Sequence, residues 1–340
     1  MRRCSSVGPM NDTLRWGIAS TGTISNSMAE ALATIDGAQL VAVGSRTQDA
    51  ADEFAARHSI TTAHGAYAAL WADAEVDVVY IGSPHSEHHW MTLAALDAGK
   101  HVLCEKAFAV NAHEAGEMID AARRNGRFLM EAMWSWFMPL WHELRDRIAT
   151  GAIGEVVSVD ANFAIPVVDE QGRHRRPELA GGALLDLGIY PLSIGRFLLG
   201  EPVEVRALGR LTDQGVDGLV GGVLSHRSGA VSTFTTSLDA LSDLTARVVG
   251  TEGRIVVGAP FWFPTEFTIT RNDGTDREHV EIANRGLAHE AEHVMERIRG
   301  GYHESDVQTW AATLSNMELM DEIRRQLGVV YPSEAAGWSG

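Results

Sequence analysis

The stretch LRWGIASTGTIS, residues 14–25, decides the fold class of this chain. Its first six residues are mostly apolar and predict a buried strand, and a turn that contains Gly22 follows them. Residues 26–35 carry apolar side chains at helical spacing, which predicts a helix directly after the turn. A strand, a glycine turn and a helix in this order are the beginning of a dinucleotide-binding βαβ unit.

The glycine turn is a degenerate form of the dinucleotide fingerprint. Against G-x-G-x-x-G it offers Ser20, Gly22 and Ser25. Gly22 occupies the middle position, where the lack of a side chain allows the backbone to approach a pyrophosphate. The small side chains of Ser20 and Ser25 still allow the tight turn and the close packing of helix on strand. Taken alone, the pattern is equally compatible with a tight turn that binds no nucleotide.

The second strand predicts which dinucleotide binds. Residues 39–44 form an apolar strand that ends in Ser45 and Arg46, and the first carboxylate after it is Asp49. NAD-binding units place an acidic residue on the ribose hydroxyl about 20 positions after the glycines. A hydroxyl and a guanidinium instead suit a 2′-phosphate, to which arginine makes charge-assisted, bidentate bonds. We therefore expect NADP rather than NAD, although Arg46 alone is also compatible with an ordinary surface arginine.

Strand and helix patterns continue to alternate as far as residue 130, with strands expected at residues 76–81, 101–104 and 127–130. This alternation predicts an α/β domain with a Rossmann-type, doubly wound parallel sheet over residues 13–131. Ligands bind at the carboxyl ends of such strands, and the strand at 101–104 delivers Glu105 and Lys106 to that edge. Lys106 is thus a candidate catalytic ammonium, although a lysine after a strand is usually only a surface charge.

The segment GSPHSEHH, residues 82–89, contains three histidines within five positions. Three imidazoles this close rarely converge on one ion, and no cluster of cysteines or carboxylates accompanies them, so we predict no metal. Ser83 and Pro84 follow a strand and are expected to form a wall beside the nicotinamide ribose. His88 is expected to open the next helix.

Residues 132–330 have a different character. An aromatic segment at 132–139 and a helix at 140–149 lead into a β-rich region with strands expected at 156–163, 203–211, 219–226, 230–237, 245–250 and 254–257. Few helices interrupt it, so we expect an α+β domain built on a large open, mostly antiparallel sheet that binds substrate. A face-to-face dimer or tetramer would cover the open sheet, and two closing helices at 288–299 and 305–327 are expected to pack back on the first domain. Residues 1–12 and 331–340 are expected to be tails.

One helix interrupts the β-rich region. Asp186 and Tyr190 lie four positions apart, so on a helix they project from one face. Gly181 and Gly182 precede them and would permit a backbone to approach a ligand, whereas Pro191 predicts a kink or a restart of the helix. A buried tyrosine bonded to an aspartate would explain the same pair without any function.

The composition limits the possible partners. The 340 residues carry a formal net charge of −17, which repels nucleic acid and anionic membranes. Only Cys4 and Cys104 are present, which favours a reducing, cytoplasmic setting over a disulfide. No signal peptide and no run of 18 apolar residues is recognisable. We therefore expect a cytoplasmic protein whose partner is a small molecule.

Three motifs, in this order, resemble the glucose–fructose oxidoreductase / inositol dehydrogenase / rhizopine-catabolism (Gfo/Idh/MocA) family over residues 13–330. They are the degenerate glycine turn, the Glu105-Lys106 pair at a strand end, and GGALLDLGIY at residues 181–190. Tyr190 stands where many members carry histidine, which is similar to the branch of dimeric dihydrodiol dehydrogenases and NADP-dependent D-xylose dehydrogenases. Four positions depart from the family pattern: Ala107 replaces a proline, His85 replaces an asparagine, and Trp136 and Met138 stand where relatives often carry arginine and histidine.

The resemblance implies a hydride transfer between NADP(H) and a secondary alcohol or carbonyl of a small cyclic diol, aldose or related substrate. An ammonium beside a tyrosine favours the phenolate, so Lys106 next to Tyr190 is expected to lower the pKa of the phenol. A non-catalytic dinucleotide sensor and a redox-neutral, NAD-dependent lyase or glycosidase remain alternatives. The implied catalytic residues are Lys106, Tyr190 and Asp186; the cofactor-binding residues are Ser20, Thr21, Gly22, Thr23, Ile24, Ser45, Arg46, Ser83, Pro84, His85, His88, Glu105 and Lys106; and the substrate-binding residues are Trp134, Trp136, Phe163, Asp186 and Tyr190.

Overall fold

A computed structural model describes residues 13–271 and 276–335 of the chain. The tail expected at residues 1–12 and the last five residues of the tail expected at 331–340 lie outside the described residues. The described chain is built on two β-sheets, one formed by its first part and the other by its second.

The first sheet has six parallel strands in the order β3-β2-β1-β4-β5-β6, which confirms the Rossmann-type prediction. Its central strands are buried along their length because helices cover both faces of a doubly wound sheet, and this explains their continuous apolar runs. The strands are β1 (Leu14–Ala19), β2 (Ala38–Gly44), β3 (Thr62–His64), β4 (Val78–Ile81), β5 (His101–Glu105) and β6 (Leu129–Ala132), and the helices between them are α1 (Thr23–Leu32), α2 (Gln48–His58), α3 (Tyr67–Ala72), α4 (His85–Asp97) and α5 (Ala112–Asn125).

The second sheet has eight strands in the order β14-β13-β12-β11-β7-β10-β9-β8, and every neighbouring pair is antiparallel except β7 and β10. The open, mostly antiparallel sheet is therefore confirmed. The last two strands were not predicted; the outermost, DREHVE, is largely polar, as suits an exposed sheet edge. The strands are β7 (Val156–Ala164), β8 (Pro202–Leu211), β9 (Asp217–His226), β10 (Val231–Ser237), β11 (Ala246–Gly250), β12 (Gly253–Val257), β13 (Glu266–Arg271) and β14 (Asp276–Glu281).

Helices complete the second half of the chain: α6 (Pro139–Ala149), α7 (Ile189–Leu199), α8 (Leu287–Arg299), α9 (Trp310–Leu327) and the short α10 (Pro332–Ala335). Helix α7 lies on β7 and β10, α8 packs on α1, and α9 packs on α5 and β8. The segment Pro177–Leu199 is apolar and long enough to cross a membrane, but 78% of its most apolar window is buried within this fold. Its apolar side chains are thus used in the protein core.

The helical run changes type just before Pro191, where a kink or a restart of the helix was expected. A π-helical turn, Leu184–Gly188, runs directly into α7, so Pro191 stands in the first turn of the α-helix. Proline cannot donate to the carbonyl four residues back, and the wider π-helical turn lies just before the position where that hydrogen bond is missing. The helical run therefore continues through Asp186 and Tyr190 and presents both side chains to the same region.

The expectation of a tail from residue 331 is wrong for residues 331–335. The side chain of Tyr331 is only 1% exposed, and its hydroxyl donates to the carbonyl oxygen of Gly181 at 2.9 Å. Glu334 accepts hydrogen bonds from Arg324 and from the side-chain amide of Asn111. The polar, proline-containing sequence resembles a tail, but these distant partners hold it against the fold.

Candidate active site

A cleft of about 770 Å³ lies between the carboxyl ends of the first sheet and the beginning of the helical run at 184–199. Fourteen of the predicted site residues line it, and Ser27, Gly82, Arg173 and His174 join them. The predicted residues on the cleft are Ser20, Thr21, Gly22, Thr23, Ile24, Arg46, Ser83, Pro84, His85, Glu105, Lys106, Trp134, Asp186 and Tyr190. The other four predicted residues, which are Ser45, His88, Trp136 and Phe163, do not line the cleft.

The glycine turn opens onto the cleft with free backbone amides. Gly22 is the N-cap of α1, and no side chain caps the first amides of that helix. A Cβ atom added to Gly22 would make only ordinary contacts, 3.7 Å from the Ser20 hydroxyl oxygen and 3.9 Å from the Gly82 carbonyl oxygen, so no clash within the chain requires a glycine here. The hydroxyl of Ser83, on the opposite wall, is buried and has no hydrogen-bond partner among the described residues. Free amides at a helix N-terminus and an unpaired hydroxyl fit a dinucleotide pyrophosphate and ribose.

Ser45 and Arg46 have different environments. Ser45 is buried at the end of β2, whereas Arg46 is exposed at the rim of the cleft. Within residues 13–271 and 276–335, the Arg46 guanidinium has no ion-pair partner. Because a guanidinium without a carboxylate partner remains available to an anion, Arg46 fits a 2′-phosphate better than Ser45 does.

Glu105 is held rigidly beneath the cleft. Its carboxylate accepts hydrogen bonds from the Tyr80 hydroxyl at 2.6 Å and from the Lys106 backbone amide at 3.2 Å. Burial raises the pKa of Glu105, and the nearby Lys106 ammonium opposes that rise. Because two neighbours engage it, Glu105 fixes the end of β5 from which the Lys106 side chain projects.

The Lys106 ammonium meets Asp186 across the cleft. Its Nζ donates to the Asp186 carbonyl oxygen at 2.6 Å and lies 3.4 Å from the carboxylate Oδ1. The same ammonium lies 5.1 Å from the centre of the Tyr190 ring, over the ring. Lys106 was predicted next to Tyr190; its ammonium does lie over the Tyr190 ring, while its hydrogen bonds go to Asp186. The peptide bond between Lys106 and Ala107 is cis.

Asp186 is surrounded by basic groups. Arg173 donates to its Oδ1 at 3.1 Å, His174 Nε2 lies 3.1 Å from its Oδ2, and His85 Nε2 lies 3.9 Å from its Oδ1. Burial alone would raise the pKa of Asp186, but Lys106, His174 and Arg173 together hold it well below its usual value. Asp186 is therefore a carboxylate that joins Lys106 to a loop of the second domain.

Arg173 and His174 were not predicted. They lie in the short 3₁₀ turn Arg173–Arg175, within the basic run RHRR at residues 173–176. This run precedes the two glycines of the motif and is unusual in so acidic a chain, so it was a usable signal.

Tyr190 receives a hydrogen bond at its hydroxyl oxygen. The indole Nε1 of Trp134 lies 2.7 Å from that oxygen, and because an indole N–H can only donate, the tyrosine oxygen is the acceptor. Burial, followed by the charge of Glu105, raises the pKa of Tyr190 well above its usual value, against the effect of this bond. The expected lowering of its pKa is therefore wrong, because burial and nearby carboxylates outweigh Lys106. Tyr190 keeps its proton and presents it to another acceptor.

The histidines of the 82–89 segment have separate roles. His88 is fully buried behind the cleft, with Nδ1 2.9 Å from the Ala107 carbonyl oxygen and Nε2 2.9 Å from that of Ser83. Burial lowers the pKa of His85 to about 3, and it lowers that of His88 to about 4 against the opposing effect of the two carbonyl oxygens that face its ring nitrogens. Among the described residues, histidine, cysteine, aspartate and glutamate form no group of three that could hold a metal ion.

The aromatic residues divide into two groups. Trp136 is only 1% exposed and stacks on Phe197 in the core, so its prediction as a residue of the substrate wall is wrong. Phe163 stacks on Trp262 with ring centres 3.6 Å apart and lies 5.7 Å from the Tyr190 ring, so it supports the site from behind. Phe263 packs on Trp134 at 5.4 Å. Trp262 and Phe263 were not predicted, because their segment is distant in sequence from every motif.

The two glycines before Asp186 do not approach a ligand, contrary to the prediction. A Cβ atom on Gly181 would lie 2.6 Å from the Arg173 carbonyl oxygen. A Cβ atom on Gly182 would lie 2.2 Å from a carboxylate oxygen of Asp217. The space that a side chain would need at these two glycines is therefore filled by other parts of the protein, the backbone of residues 173–174 and the side chain of Asp217.

Two family profiles match the chain and together cover more than half of it. The profile of the oxidoreductase family with an NAD-binding Rossmann fold matches residues 14–133, and that of the GFO/IDH/MocA C-terminal domain matches residues 141–256. Fold and site thus define a dinucleotide-binding oxidoreductase. The chain belongs to the Gfo/Idh/MocA family, which confirms the resemblance carried by its motifs.

Curated relatives and solved structures match nearly the whole chain. Trans-1,2-dihydrobenzene-1,2-diol dehydrogenase of Sus scrofa is 37% identical over 332 residues, and that of Homo sapiens is 35% identical over 337; each match covers 94% of this chain and 99% of the relative. KijD10, a 3-ketoreductase from Actinomadura kijaniata in complex with NADP and TDP-benzene, has a TM-score of 0.85 at 26% identity and covers 93% of this chain and 98% of its own. Aldose-aldose oxidoreductase from Caulobacter crescentus, complexed with glycerol, has a TM-score of 0.84 at 25% identity, and the match covers 92% of this chain and 97% of the oxidoreductase chain.

Proposed function

We propose that this protein is an NADP(H)-dependent dehydrogenase or reductase that interconverts a secondary alcohol and the corresponding carbonyl. The observation that carries the proposal is the convergence of the Lys106 ammonium, the Tyr190 phenol and the Asp186 carboxylate at the cleft that the glycine turn also lines. An acid–base group and a positive charge at one place are what reduction of a carbonyl needs besides a hydride.

The cofactor we propose is NADP. The unpaired Arg46 guanidinium at the cleft rim suits the 2′-phosphate. The backbone of the glycine turn at Gly22 suits the pyrophosphate, and the unpaired Ser83 hydroxyl suits a ribose. KijD10 binds NADP in its solved complexes, which supports the same choice for this chain. When bound, the reduced nicotinamide supplies the hydride that adds to the carbonyl carbon.

The protein supplies the proton and the charge. Tyr190 retains its proton because its pKa is raised, and the bond from Trp134 occupies an oxygen lone pair rather than the proton. We infer that Tyr190 donates this proton to the carbonyl oxygen of the substrate. Lys106 stabilises the negative charge that develops on that oxygen, and Asp186 holds the ammonium in place. At neutral pH this arrangement favours reduction; in the oxidation direction Tyr190 accepts the alcohol proton.

The substrate class we propose is a small cyclic diol, an aldose or a related compound. The indole of Trp134 and the phenol of Tyr190 give the cleft an aromatic wall, which suits the flat or puckered face of a ring. Another part of the cleft is polar and can bind hydroxyl groups, because it carries Asp186, Arg173 and His174. The matched relatives are named for a cyclic diol, a ketone and aldoses, in agreement with this class.

We propose that two or four copies associate through the open face of the second sheet. The register places exposed apolar side chains from four different strands on one face of that sheet: Leu208, Leu219, Val223, Val231 and Val256. An apolar face of this kind is typical of a subunit interface. Sedimentation of the purified protein tests the assembly, and a monomer at micromolar concentration would exclude it.

A reducing, cytoplasmic location completes the proposal. Cys104 is free and buried, and the net charge of −17 disfavours nucleic acid and anionic lipid as partners. Fractionation of cells that express the protein checks this location.

Steady-state consumption of NADPH with a panel of cyclic ketones, diketones and aldoses tests the function. We expect Lys106→Met and Tyr190→Phe each to lower kcat by about 10²–10⁴-fold, as expected for loss of an acid–base or charge-stabilising group. Tyr302→Phe is the matched control, because Tyr302 lies outside the cleft and is half exposed. Unchanged turnover in both catalytic variants would refute the assignment, and tight NADP without any turnover would favour a sensor.

A further inference from the structure

Asp217 is a buried carboxylate behind the cleft, at the first residue of β9. Its side chain is fully buried, and its Oδ2 accepts a hydrogen bond from the backbone amide of Leu184 at 2.6 Å. Leu184 is the first residue of the π-helical turn that continues into α7. Asp217 thus occupies the N-terminal end of the helical run that carries Asp186 and Tyr190, where an anion stabilises free amides and the positive end of the helix dipole.

The backbone that precedes the helix packs closely against the Asp217 carboxylate. Gly182 has a φ of +125°, a conformation that L side chains rarely adopt, and its missing Cβ would lie 2.2 Å from Asp217 Oδ1. That Oδ1 has no hydrogen-bond partner among the described residues. A buried carboxylate with an unpaired oxygen costs free energy, so its presence needs an explanation other than packing.

The groups around Asp217 come from three parts of the chain. The backbone amides of residues 183 and 184 face the Asp217 carboxylate from the start of the helix. Burial raises the pKa of Asp217, and the positive charge of the Arg324 guanidinium, on α9, lowers it; burial and the negative charge of Asp217 raise the pKa of Tyr331. Tyr331 also donates to the Gly181 carbonyl oxygen at 2.9 Å, on the other side of Gly182. Asp217 and Tyr331 therefore hold the chain on both sides of the glycine that precedes the helix.

We propose that Asp217 is a positioning residue, which anchors the first turn of the helix and thereby sets Asp186 and Tyr190 in register with Lys106. The inference rests on the proposed role of Tyr190 as the proton donor. Asp217 does not line the cleft in which substrate and cofactor are proposed to bind. Its effect is transmitted through the backbone of one helical turn, from Leu184 to Tyr190.

The experiment is a double-mutant cycle between Asp217→Ala and Tyr190→Phe, with kcat and KM for NADPH as readouts. We expect Asp217→Ala to lower kcat about 10–100-fold, to leave KM for NADPH unchanged, and to cause no further loss in the Tyr190→Phe background. Asp217→Asn keeps an oxygen that accepts the Leu184 amide, so its kcat is expected to stay within about threefold of the wild type at pH 7.

The outcomes separate the inference from the proposed function. If Tyr190→Phe retains full turnover, the proposed role of Tyr190 as the proton donor fails, and with it the basis of this inference. If Tyr190→Phe is impaired but Asp217→Ala keeps wild-type kcat, or if the two losses multiply, the positioning role of Asp217 is overturned while the proposed function stands. Asp217→Asn with a kcat as low as that of Asp217→Ala overturns it as well.

A second measurement decides the matter if Asp217→Ala does not fold. Burial raises the pKa of Asp217 to about 7, so the wild-type carboxylate forms, and its bond to the Leu184 amide strengthens, as the pH rises through that value. We expect wild-type kcat to rise there and Asp217→Asn to lack this rise. Superimposable pH profiles of the two proteins overturn the inference.

Discussion

Replacing Trp134 with phenylalanine tests the environment of the catalytic phenol most directly. The change removes the indole N–H that lies 2.7 Å from the Tyr190 oxygen and keeps an aromatic ring to pack on Phe263. The tyrosinate needs this donor more than the neutral phenol does, because hydrogen bonds to charged groups are the stronger ones. Loss of the donor therefore raises the pKa of Tyr190 still further.

The magnitude follows from the strength of that bond. A hydrogen bond contributes about 1.5–3 kcal/mol to a charged acceptor and about 0.5–1.5 kcal/mol to a neutral one, and 1.36 kcal/mol corresponds to one pH unit, so the titration of Tyr190 moves up by about one pH unit. At any pH on the rising limb of the pH profile for alcohol oxidation, the fraction of Tyr190 present as tyrosinate falls as its pKa rises. We therefore expect kcat for NADP-dependent oxidation to fall by about tenfold.

The assay is the pH dependence of kcat for alcohol oxidation, measured in parallel with Tyr190→Phe. Phe263→Leu is the matched control, because it disturbs the packing on Trp134 but keeps the indole N–H; its rising limb is expected at the wild-type pH. An unchanged limb in Trp134→Phe, together with an inactive Tyr190→Phe, would refute the idea that the indole stabilises the tyrosinate.

Two further substitutions test the cofactor site and the turn before the helix. Arg46→Asp is expected to raise KM for NADPH at least about tenfold while KM for NADH stays the same or falls, because the 2′-phosphate loses a charge-assisted partner. Arg227→Asp, in an exposed turn, is the control. An equal effect of Arg46→Asp on both cofactors would contradict the assignment. Gly182→Ala combines backbone strain with a clash against Asp217, each about 1–3 kcal/mol, so urea denaturation should show a free energy of unfolding lower by about 2–6 kcal/mol. Gly151→Ala has a positive φ without any clash and should show only the strain, so equal losses in the two variants would contradict the clash.

The first sheet was predictable because its information is local. Apolar runs, turns and helical spacing alternate along residues 14–130, and the ends of the five predicted strands are visible in the sequence, so Gly22 and Lys106 could be placed on the ligand edge. The three-residue strand β3 was not predicted, because it is too short to show a pattern. The fit of Arg46 to a 2′-phosphate followed from the same local pattern.

The details of the site depended on contacts between distant residues. Trp134 and Trp136 look equivalent in the sequence, yet the 3₁₀ turn Trp134–Phe137 directs them to different surroundings, since residues two apart in such a turn do not share a face. Asp217 meets Gly182 across a fold that no periodicity reveals. The pKa of Tyr190 depends on burial, which outweighed the neighbouring charge that the sequence suggested.

The hydroxyl of Tyr331 on the Gly181 carbonyl oxygen has a consequence for how the protein is made. Synthesis proceeds from the N-terminus, and domains generally fold as they emerge, so the first sheet and Lys106 are complete early. Tyr331 lies 150 residues after Gly181, so Gly181 receives its partner only once Tyr331 has been synthesised and has left the ribosome. The helix that bears Asp186 and Tyr190 therefore takes its final position late, and the nucleotide-binding half is expected to form before the enzyme can turn over.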